Sequence, residues 1–326
     1  MMKRKQFSVK ETGNFLMRNC VYIICILLLV LPSFFSKTYL SPASLTTLSK
    51  NVSVWGLMAI GVSFVMLLGC NDLSIGMIVS MLTVVGVITS NHMGLLPAMV
   101  LILAGGVLAG IFNGMIVGKL GMNPFIATLG SQMVFKGVGL VVSGGQPVFS
   151  YNKTLAGFYD LELLDLGFIT ITLPFAVLLI VLAAASFLLK YTKFGQSVYV
   201  VGGNKEAAAL SGIDTTRVTV ICYIISGLCG AITSFFIIAL NSAGNGAVGE
   251  RYSLQTVAAC VLGGLAMTGG YGNAFRAFLG VCAMQLIQKV LYQVDASLAN
   301  LQIGIIGVIL VMFLLFNKAS IEKNKE

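Results

Sequence analysis

The sequence predicts an all-α, polytopic membrane protein with about ten transmembrane helices. The 326-residue chain is 57% hydrophobic and only 10% charged, whereas soluble domains average about 25% charged residues. Its mean hydropathy is +0.96. The apolar residues are gathered in runs of roughly 20, the length at which a helix spans a bilayer. No interval between these runs is long enough to fold alone, so we expect a single membrane domain over residues 1–326.

The apolar runs can be assigned in chain order. Residues 1–19 carry several basic side chains and precede the run Cys20–Phe35. A signal peptide would look similar, but no small-residue cleavage pattern follows, so this run is interpreted as the first span. The nine further predicted spans are Val52–Gly69, Leu73–Ser90, Leu95–Gly118, Phe125–Ser143, Phe168–Leu189, Val218–Leu240, Ser253–Met267, Ala274–Leu291 and Leu301–Phe316.

The basic residues predict the orientation of these spans. With both termini in the cytoplasm, fourteen of the 20 Lys and Arg residues fall in cytoplasmic segments. Only four, Lys37, Lys50, Lys153 and Arg251, fall in external ones. This asymmetry agrees with the positive-inside rule. It also accounts for the net charge of +9 without nucleic-acid binding, which would need a basic face on a soluble domain.

A polar interruption separates the second and third spans. Asp72 is the only acidic residue that lies among the spans, and an ionisable group at membrane depth is a functional candidate. Asp72 or Ser74 could instead cap the N-terminus of the third span. The sequence leaves open whether these residues cap the helix or serve the substrate pathway and its gating.

The fourth span carries a glycine at every fourth position. Gly106, Gly110, Gly114 and Gly118 form a groove along one helix face, which allows close approach of another helix. Asn113 lies beside this groove. We expect it to hydrogen-bond to a neighbouring helix rather than to face the pathway.

Charged and polar groups also occur near the fifth and eighth spans. Gln132 and Lys136 are four residues apart and share one face of the fifth span. Lys136 could bind a solute hydroxyl, pair with an acid or snorkel to an interface. Glu250 and Arg251 end a predicted external loop, where they could meet an extracytoplasmic partner or simply be solvated.

The longest polar interval between spans is Lys190–Arg217. Asn204 can cap a short helix, and Gly212 can end it in the left-handed conformation. The run Ala207–Leu210 would give this helix a smooth apolar face, which suits docking into a partner's groove. A solvated connection between two spans is the alternative.

The order and spacing of residues Thr192–Ile213 add a family resemblance. They read T-x-F-G-Q-S-V-Y-x-x-G-x-N-x-x-A-A-x-L-S-G-I, which resembles the cytoplasmic loop of ribose-type ABC importer permeases. Three further segments resemble the same family: 69–76, 113–130 and 258–272. Cys70 and Asn71 depart from the family's G-G-I-D-L-S-V-G pattern.

This resemblance implies the type II importer architecture, in a multi-pass protein of the bacterial plasma membrane. It implies a cytoplasmic ABC ATPase subunit, an extracytoplasmic sugar-binding protein and a second permease subunit as partners, beside membrane lipid. The expected cargo is a ribose-, pentose- or hexose-like monosaccharide, with a nucleoside or another small polar solute as the alternative. The residues that it assigns to ATPase coupling are Thr192, Phe194, Gly195, Gly202, Asn204, Ala207, Ala208, Leu210, Ser211 and Gly212.

Other function classes lack the residues they require. The chain contains no G-x-x-x-x-G-K-[ST] phosphate loop, so ATP hydrolysis is expected in a separate subunit. A self-contained secondary transporter usually couples through intramembrane acids, and only Asp72 is available. With His92 as its one histidine and seven cysteines in or beside apolar runs, we expect no metal, no cofactor and no catalytic site.

Overall fold

The computed structural model describes residues 21–295 and residues 301, 304, 305, 307, 308 and 311. Most of the predicted tenth span, Leu301–Phe316, and the basic terminal segments lie outside this part of the chain. The elements in chain order are α1 Val21–Phe34, α2 Pro42–Leu67, α3 Ile75–Met93, α4 Leu95–Gly118, α5 Pro124–Ser143, β1 Val148–Phe149, α6 Lys153–Gly157, β2 Glu162–Asp165, β3 Thr170–Thr172, α7 Leu173–Tyr191, α8 Lys193–Gly203, α9 Lys205–Leu210, α10 Thr215–Asn241, β4 Ala243–Gly244, α11 Tyr252–Leu262 and α12 Ala274–Val294.

Among the described residues, seven helices are long and apolar enough to cross a membrane: α2, α3, α4, α5, α7, α10 and α12. The helices α1 and α11 are apolar but shorter. A polytopic helical protein is thus confirmed, whereas the exact number of ten spans is not. Four short strands within residues 21–295 depart from the all-α expectation: β1 pairs with β4, and β2 pairs with β3.

The helices fall into an inner and an outer group. Most of the apolar window of α2, α3 and α10 is buried, whereas only 28% of the window is buried in α4, α5 and α7. The inner helices therefore form the core, and the exposed apolar surfaces of the outer group face lipid or another protein chain.

The four predicted packing glycines line the contact between α4 and α10. A Cβ added at Gly110 would lie 2.5 Å from the Tyr223 carbonyl oxygen, and one at Gly106 would lie 2.5 Å from the Gly227 carbonyl oxygen. Gly114 and Gly118 meet the same helix nearer its start. The backbones of the two helices touch because these positions carry no side chain.

The eighth predicted span is not one continuous helix. The prediction Ser253–Met267 is wrong at its end, because α11 stops at Leu262. An irregular segment, residues 245–251, precedes α11. That segment lies along α3: the Asn245 N–H donates to Thr83 Oγ1 at 3.1 Å, and the Gly249 N–H donates to Ser80 Oγ at 2.7 Å. Hydroxyl groups of α3 thus supply the bonds that non-helical backbone needs inside a membrane protein.

The two ends of the bundle differ in structure. The strands β2 and β3 lie at the end where α2 begins, since the Thr170 N–H donates to Thr46 Oγ1. The helices α8 and α9 lie at the opposite end, where Gly202 meets the carbonyl oxygen of Leu67 at the end of α2. We call these the strand end and the loop end.

Candidate functional site

The candidate site begins with the segment α8–α9, which the sequence singled out. Thr192 caps α8 by accepting from the Gly195 N–H at 3.1 Å. Asn204 caps α9 by accepting from the Ala207 N–H at 2.9 Å, as its position predicts. Gly212 follows the end of α9 with a φ of +82°, a conformation that glycine adopts without strain. The polar interval is therefore folded rather than an open loop.

This segment is held rigidly against the bundle. Gly202 packs so closely on the Leu67 carbonyl oxygen that no side chain would fit. The Tyr199 hydroxyl donates to the Gly272 carbonyl oxygen at 2.8 Å, and burial raises the pKa of Tyr199. The Gly270 N–H donates to the same Leu67 carbonyl at 2.9 Å. These contacts join α8 to the end of α2 and to the turn between α11 and α12.

The prediction that Ala207–Leu210 form one smooth, exposed apolar face of α9 is wrong. Ala208 is fully buried against the bundle, and its carbonyl accepts from the Ile213 N–H. Ala207 and Ala209 are exposed. Successive residues of a helix are about 100° apart, so three in a row cannot share one face. Leu210 is the apolar group that α9 presents, since 91% of its surface is exposed.

The ten residues assigned to ATPase coupling thus divide into two groups. The partly or fully buried ones position the segment, and the exposed ones are available to a partner. The positioning group is Thr192, Phe194, Gly195, Gly202 and Ala208, and the exposed group is Asn204, Ala207, Leu210, Ser211 and Gly212.

A second polar cluster lies where α2 turns into α3. Asp72 is buried, and its Oδ1 accepts from the Ser74 N–H at 3.0 Å and from Ser74 Oγ at 2.6 Å. Its Oδ2 accepts from Ser226 Oγ of α10 at 2.7 Å. The Asn113 amide of α4 donates to Ser74 Oγ at 2.7 Å. We call these four residues the buried junction; it joins the start of α3 to α4 and α10.

The geometry of the junction favours a positioning role. Asp72 accepts a backbone N–H just before α3 begins, whereas the Ser74 side chain makes no cap and instead donates to Asp72. Asn113 bonds to a neighbouring segment, the outcome that the sequence favoured. Within the described residues, no basic side chain lies within ion-pair distance of Asp72. Three donated hydrogen bonds supply the stabilisation that a buried carboxyl group requires.

A third cluster lies on α5. Lys136 Nζ forms an ion pair with Glu250 Oε1 at 2.8 Å, and the two side chains are 30% and 60% exposed. Of the alternatives for Lys136, pairing with an acid is the one observed. Glu250 was expected on an external rim, but the segment 245–251 places it beside the middle of α5. Gln132 lies one turn away and is half-buried.

The face of α5 beside this pair is open. Added Cβ atoms at Gly130 and Gly137 would meet nothing within 4 Å, and Met133 and Val134 are exposed. An ion pair is costly to expose to hydrocarbon. This face therefore suits contact with protein or with water better than contact with lipid tails.

Comparison with known proteins agrees with the resemblance. The family described as branched-chain amino acid transport system/permease component matches residues 44–314. The ribose import permease protein of Bacillus subtilis is 32% identical over 90% of each chain. The L-arabinose ABC transporter permease protein of Azospirillum brasilense is 30% identical over 92% of this chain and 87% of its own. The autoinducer 2 import system permease protein of Escherichia coli is also 30% identical, with the same coverage.

No solved structure matches the chain significantly. The family match nevertheless covers most of the chain, and it includes the segment α8–α9, the buried junction and the ion pair on α5. Several curated relatives at about 30% identity extend over nearly their full lengths. The chain therefore belongs to the branched-chain amino acid transport system/permease component family of membrane permeases.

Proposed function

We propose that the chain is the membrane-spanning permease subunit of an ATP-driven importer that receives a monosaccharide from a binding protein. The observation that carries this proposal is the segment α8–α9, a folded unit clamped to the bundle that presents Leu210 and exposed polar groups. Such a unit suits a partner that must push or pull on the membrane helices. Curated relatives named as ribose, galactose and arabinose import permeases support a sugar as cargo.

The proposed coupling runs through backbone contacts. A separate ABC ATPase subunit binds the loop end, with Leu210 entering a groove on its surface. Movement of α8 then shifts Leu67 and Gly270, which contact Gly202. Leu67 is followed directly by the turn that carries the buried junction, so the motion reaches the start of α3. Asp72, Ser74 and Asn113 transmit it to α4 and α10.

The proposed pathway runs along the open face of α5. A second permease subunit, a copy of this chain or a homologue, packs opposite it, and the solute passes between the two. Lys136, Glu250 and Gln132 line this route, where an ammonium and a carboxylate can exchange their mutual bond for bonds to sugar hydroxyls. The exposed glycines Gly130 and Gly137 permit close approach of the second subunit.

The proposed orientation places the loop end and both termini in the cytoplasm of a bacterium, with the strand end facing the binding protein outside its plasma membrane. The basic residues of α8–α9 and its flanks support this orientation. Permease activity in this arrangement needs no cofactor of its own.

Uptake by reconstituted vesicles tests the function. The permease is reconstituted with its ATPase subunit and loaded binding protein, and labelled ribose, a nucleoside and autoinducer 2 are compared. We expect ribose uptake that requires internal ATP and persists after an uncoupler collapses the proton gradient. Uptake that fails with the uncoupler while ATP remains high would instead indicate a secondary transporter. Uptake of the nucleoside alone would reassign the cargo.

A further inference from the structure

A cavity lies at the strand end, away from every residue assigned to coupling or to the pathway. Its volume is about 640 Å³, and it separates the first turns of α2 from the last turns of α12. Most of the residues that line it have polar side chains. The lining consists of Thr38, Ser41, Ala43, Ser44, Thr47, Leu48, Asn51, Gln285, Gln288, Lys289, Tyr292 and Gln293.

One cation in this lining has no polar partner. The Lys289 amine is buried and has no hydrogen-bond partner among the described residues. It lies 4.4 Å from the ring centre of Tyr39, whose hydroxyl donates to the Leu28 carbonyl and forms no hydrogen bond with the amine. A cation–π contact alone does not replace the three hydrogen bonds that an ammonium group donates.

A second polar side chain of the lining, Gln285, is available to a ligand. Gln285 is only 5% exposed, yet its amide forms no side-chain hydrogen bond with another described residue. Gln293, in contrast, donates to Ser36 and Thr38 and joins α12 to the segment before α2. Buried polar groups without partners are rare in native proteins. The unpartnered Lys289 amine therefore indicates that the cavity holds a polar ligand, and Gln285 lines the same cavity.

The charge of the lining limits the ligand. The described residues around the cavity include one cation and no carboxylate, so a ligand with one negative charge would balance Lys289. A ligand that brought its own ammonium group would meet a second cation and no acid. The many hydroxyl and amide side chains suit additional hydroxyl groups on the ligand.

The level of the cavity indicates where such a ligand comes from. Lys289 lies five residues before the end of α12, which is roughly 7 Å along a helix. Ser41 immediately precedes α2 at the same end. Ends of spanning helices lie at the headgroup region of a bilayer, which is roughly 5–8 Å deep on each side.

We propose that this cavity binds the phosphodiester headgroup of an anionic, hydroxyl-bearing lipid of the phosphatidylglycerol type. Lys289 donates to the phosphate oxygens, and Gln285 and the hydroxyl groups of the α2 start bind the glycerol hydroxyls. The bound headgroup bridges α2 and α12 and completes their packing. In the proposed orientation it belongs to the outer leaflet, but the site itself does not depend on that orientation or on the transport function.

Thermal unfolding of the delipidated permease in detergent tests the site. Short-chain phosphatidylglycerol, short-chain phosphatidylethanolamine, sodium phosphate and ribose are titrated separately. We expect phosphatidylglycerol to raise the unfolding temperature saturably and phosphatidylethanolamine to act only at much higher concentration. Lys289→Met should raise the half-maximal concentration of phosphatidylglycerol at least about tenfold, because a charge-assisted bond is lost.

Two further variants complete the test. Lys50→Met removes a lysine that is paired with Asp160 and lies outside the cavity, so it should respond to phosphatidylglycerol like the wild type. Ser44→Leu fills the cavity without touching the charge and should abolish the response, which keeps the test decisive if Lys289→Met does not fold.

Several outcomes would overturn the proposal. These are an unsaturable response in the wild type, equal responses to the two lipids, or wild-type responses in both Lys289→Met and Ser44→Leu. Stabilisation by sodium phosphate as strong as by the lipid would keep the anion site but reject a lipid as its source. Stabilisation by ribose that Lys289→Met abolishes would assign the cavity to the solute instead.

Discussion

Leu210 offers the sharpest test of how the permease meets its ATPase. The side chain is 91% exposed at the end of α9, and the neighbouring Ala208 is buried beneath it. Leu210→Ala therefore removes a group that contributes almost nothing to the stability of the isolated permease. If the side chain enters a groove on the ATPase subunit, its loss weakens only the association of the two proteins.

The expected magnitude follows from the atoms removed. Truncation to alanine deletes three carbons, and burial of each stabilises a complex by about 0.8 kcal/mol. A loss of about 2 kcal/mol corresponds to roughly thirtyfold weaker association. Ala208→Trp, in contrast, should affect the permease itself. A large side chain at this fully buried position would displace α9 from the bundle and lower the yield of folded permease.

Association is measured by titrating purified ATPase subunit against immobilised, detergent-solubilised permease, beside ribose uptake in the same cells. Leu163→Ala is the matched control, because Leu163 is also exposed but lies on β2 at the strand end. We expect wild-type yield and thermal stability for both variants and weaker association with the ATPase subunit only for Leu210→Ala, which should also show weaker uptake. Association of that variant at the wild-type level would show that α9 does not dock through Leu210.

Four further predictions address the packing, the junction, the ion pair and the orientation. Gly110→Val should lower the free energy of unfolding by about 1–3 kcal/mol or more, because its Cβ would meet the backbone of α10. Gly137→Ala is the control, since position 137 is open. Equal unfolding temperatures of the two variants would contradict the close contact between α4 and α10. Asp72→Asn should fold and transport nearly normally, since its amide can accept from the Ser74 N–H and donate to Ser226 Oγ. Asp72→Leu should destabilise the fold, because it leaves several donors unpaired at a cost of about 1–3 kcal/mol each. Normal membrane levels with no uptake in Asp72→Asn would indicate a direct pathway role. Lys136→Glu should depress uptake through like-charge repulsion, and addition of Glu250→Lys should restore part of it; no rescue would argue against the pair as a functional unit. A single cysteine at position 205, made as Lys205→Cys in a cysteine-free background, should resist impermeant thiol reagents in intact cells, and labelling from outside would reverse the proposed orientation.

Much of the helical framework could be read from the sequence because hydropathy and helix capping are local properties. The span Leu95–Gly118 was predicted with the same bounds as α4. The cap at Asn204 and the glycine stripe of α4 depend only on residues within one or two turns. A pattern that repeats every four residues predicts that another helix comes close, but it does not identify α10 as that helix.

Tertiary structure decided what lies between helices distant in sequence. Glu250 pairs with Lys136 across 114 residues, and Ser226 bonds to Asp72 across 154. Neither partner is marked by local pattern. The irregular segment before α11 depends on hydroxyl groups of α3 that accept its N–H groups across the bundle. The apolar residues after Ser253 predicted a span that reaches Met267, whereas α11 ends at Leu262. Similarly, the sequence does not distinguish the three consecutive alanines 207–209 from one another. Only the bundle beneath α9 determines that Ala208 is buried and that Leu210 is exposed to a partner.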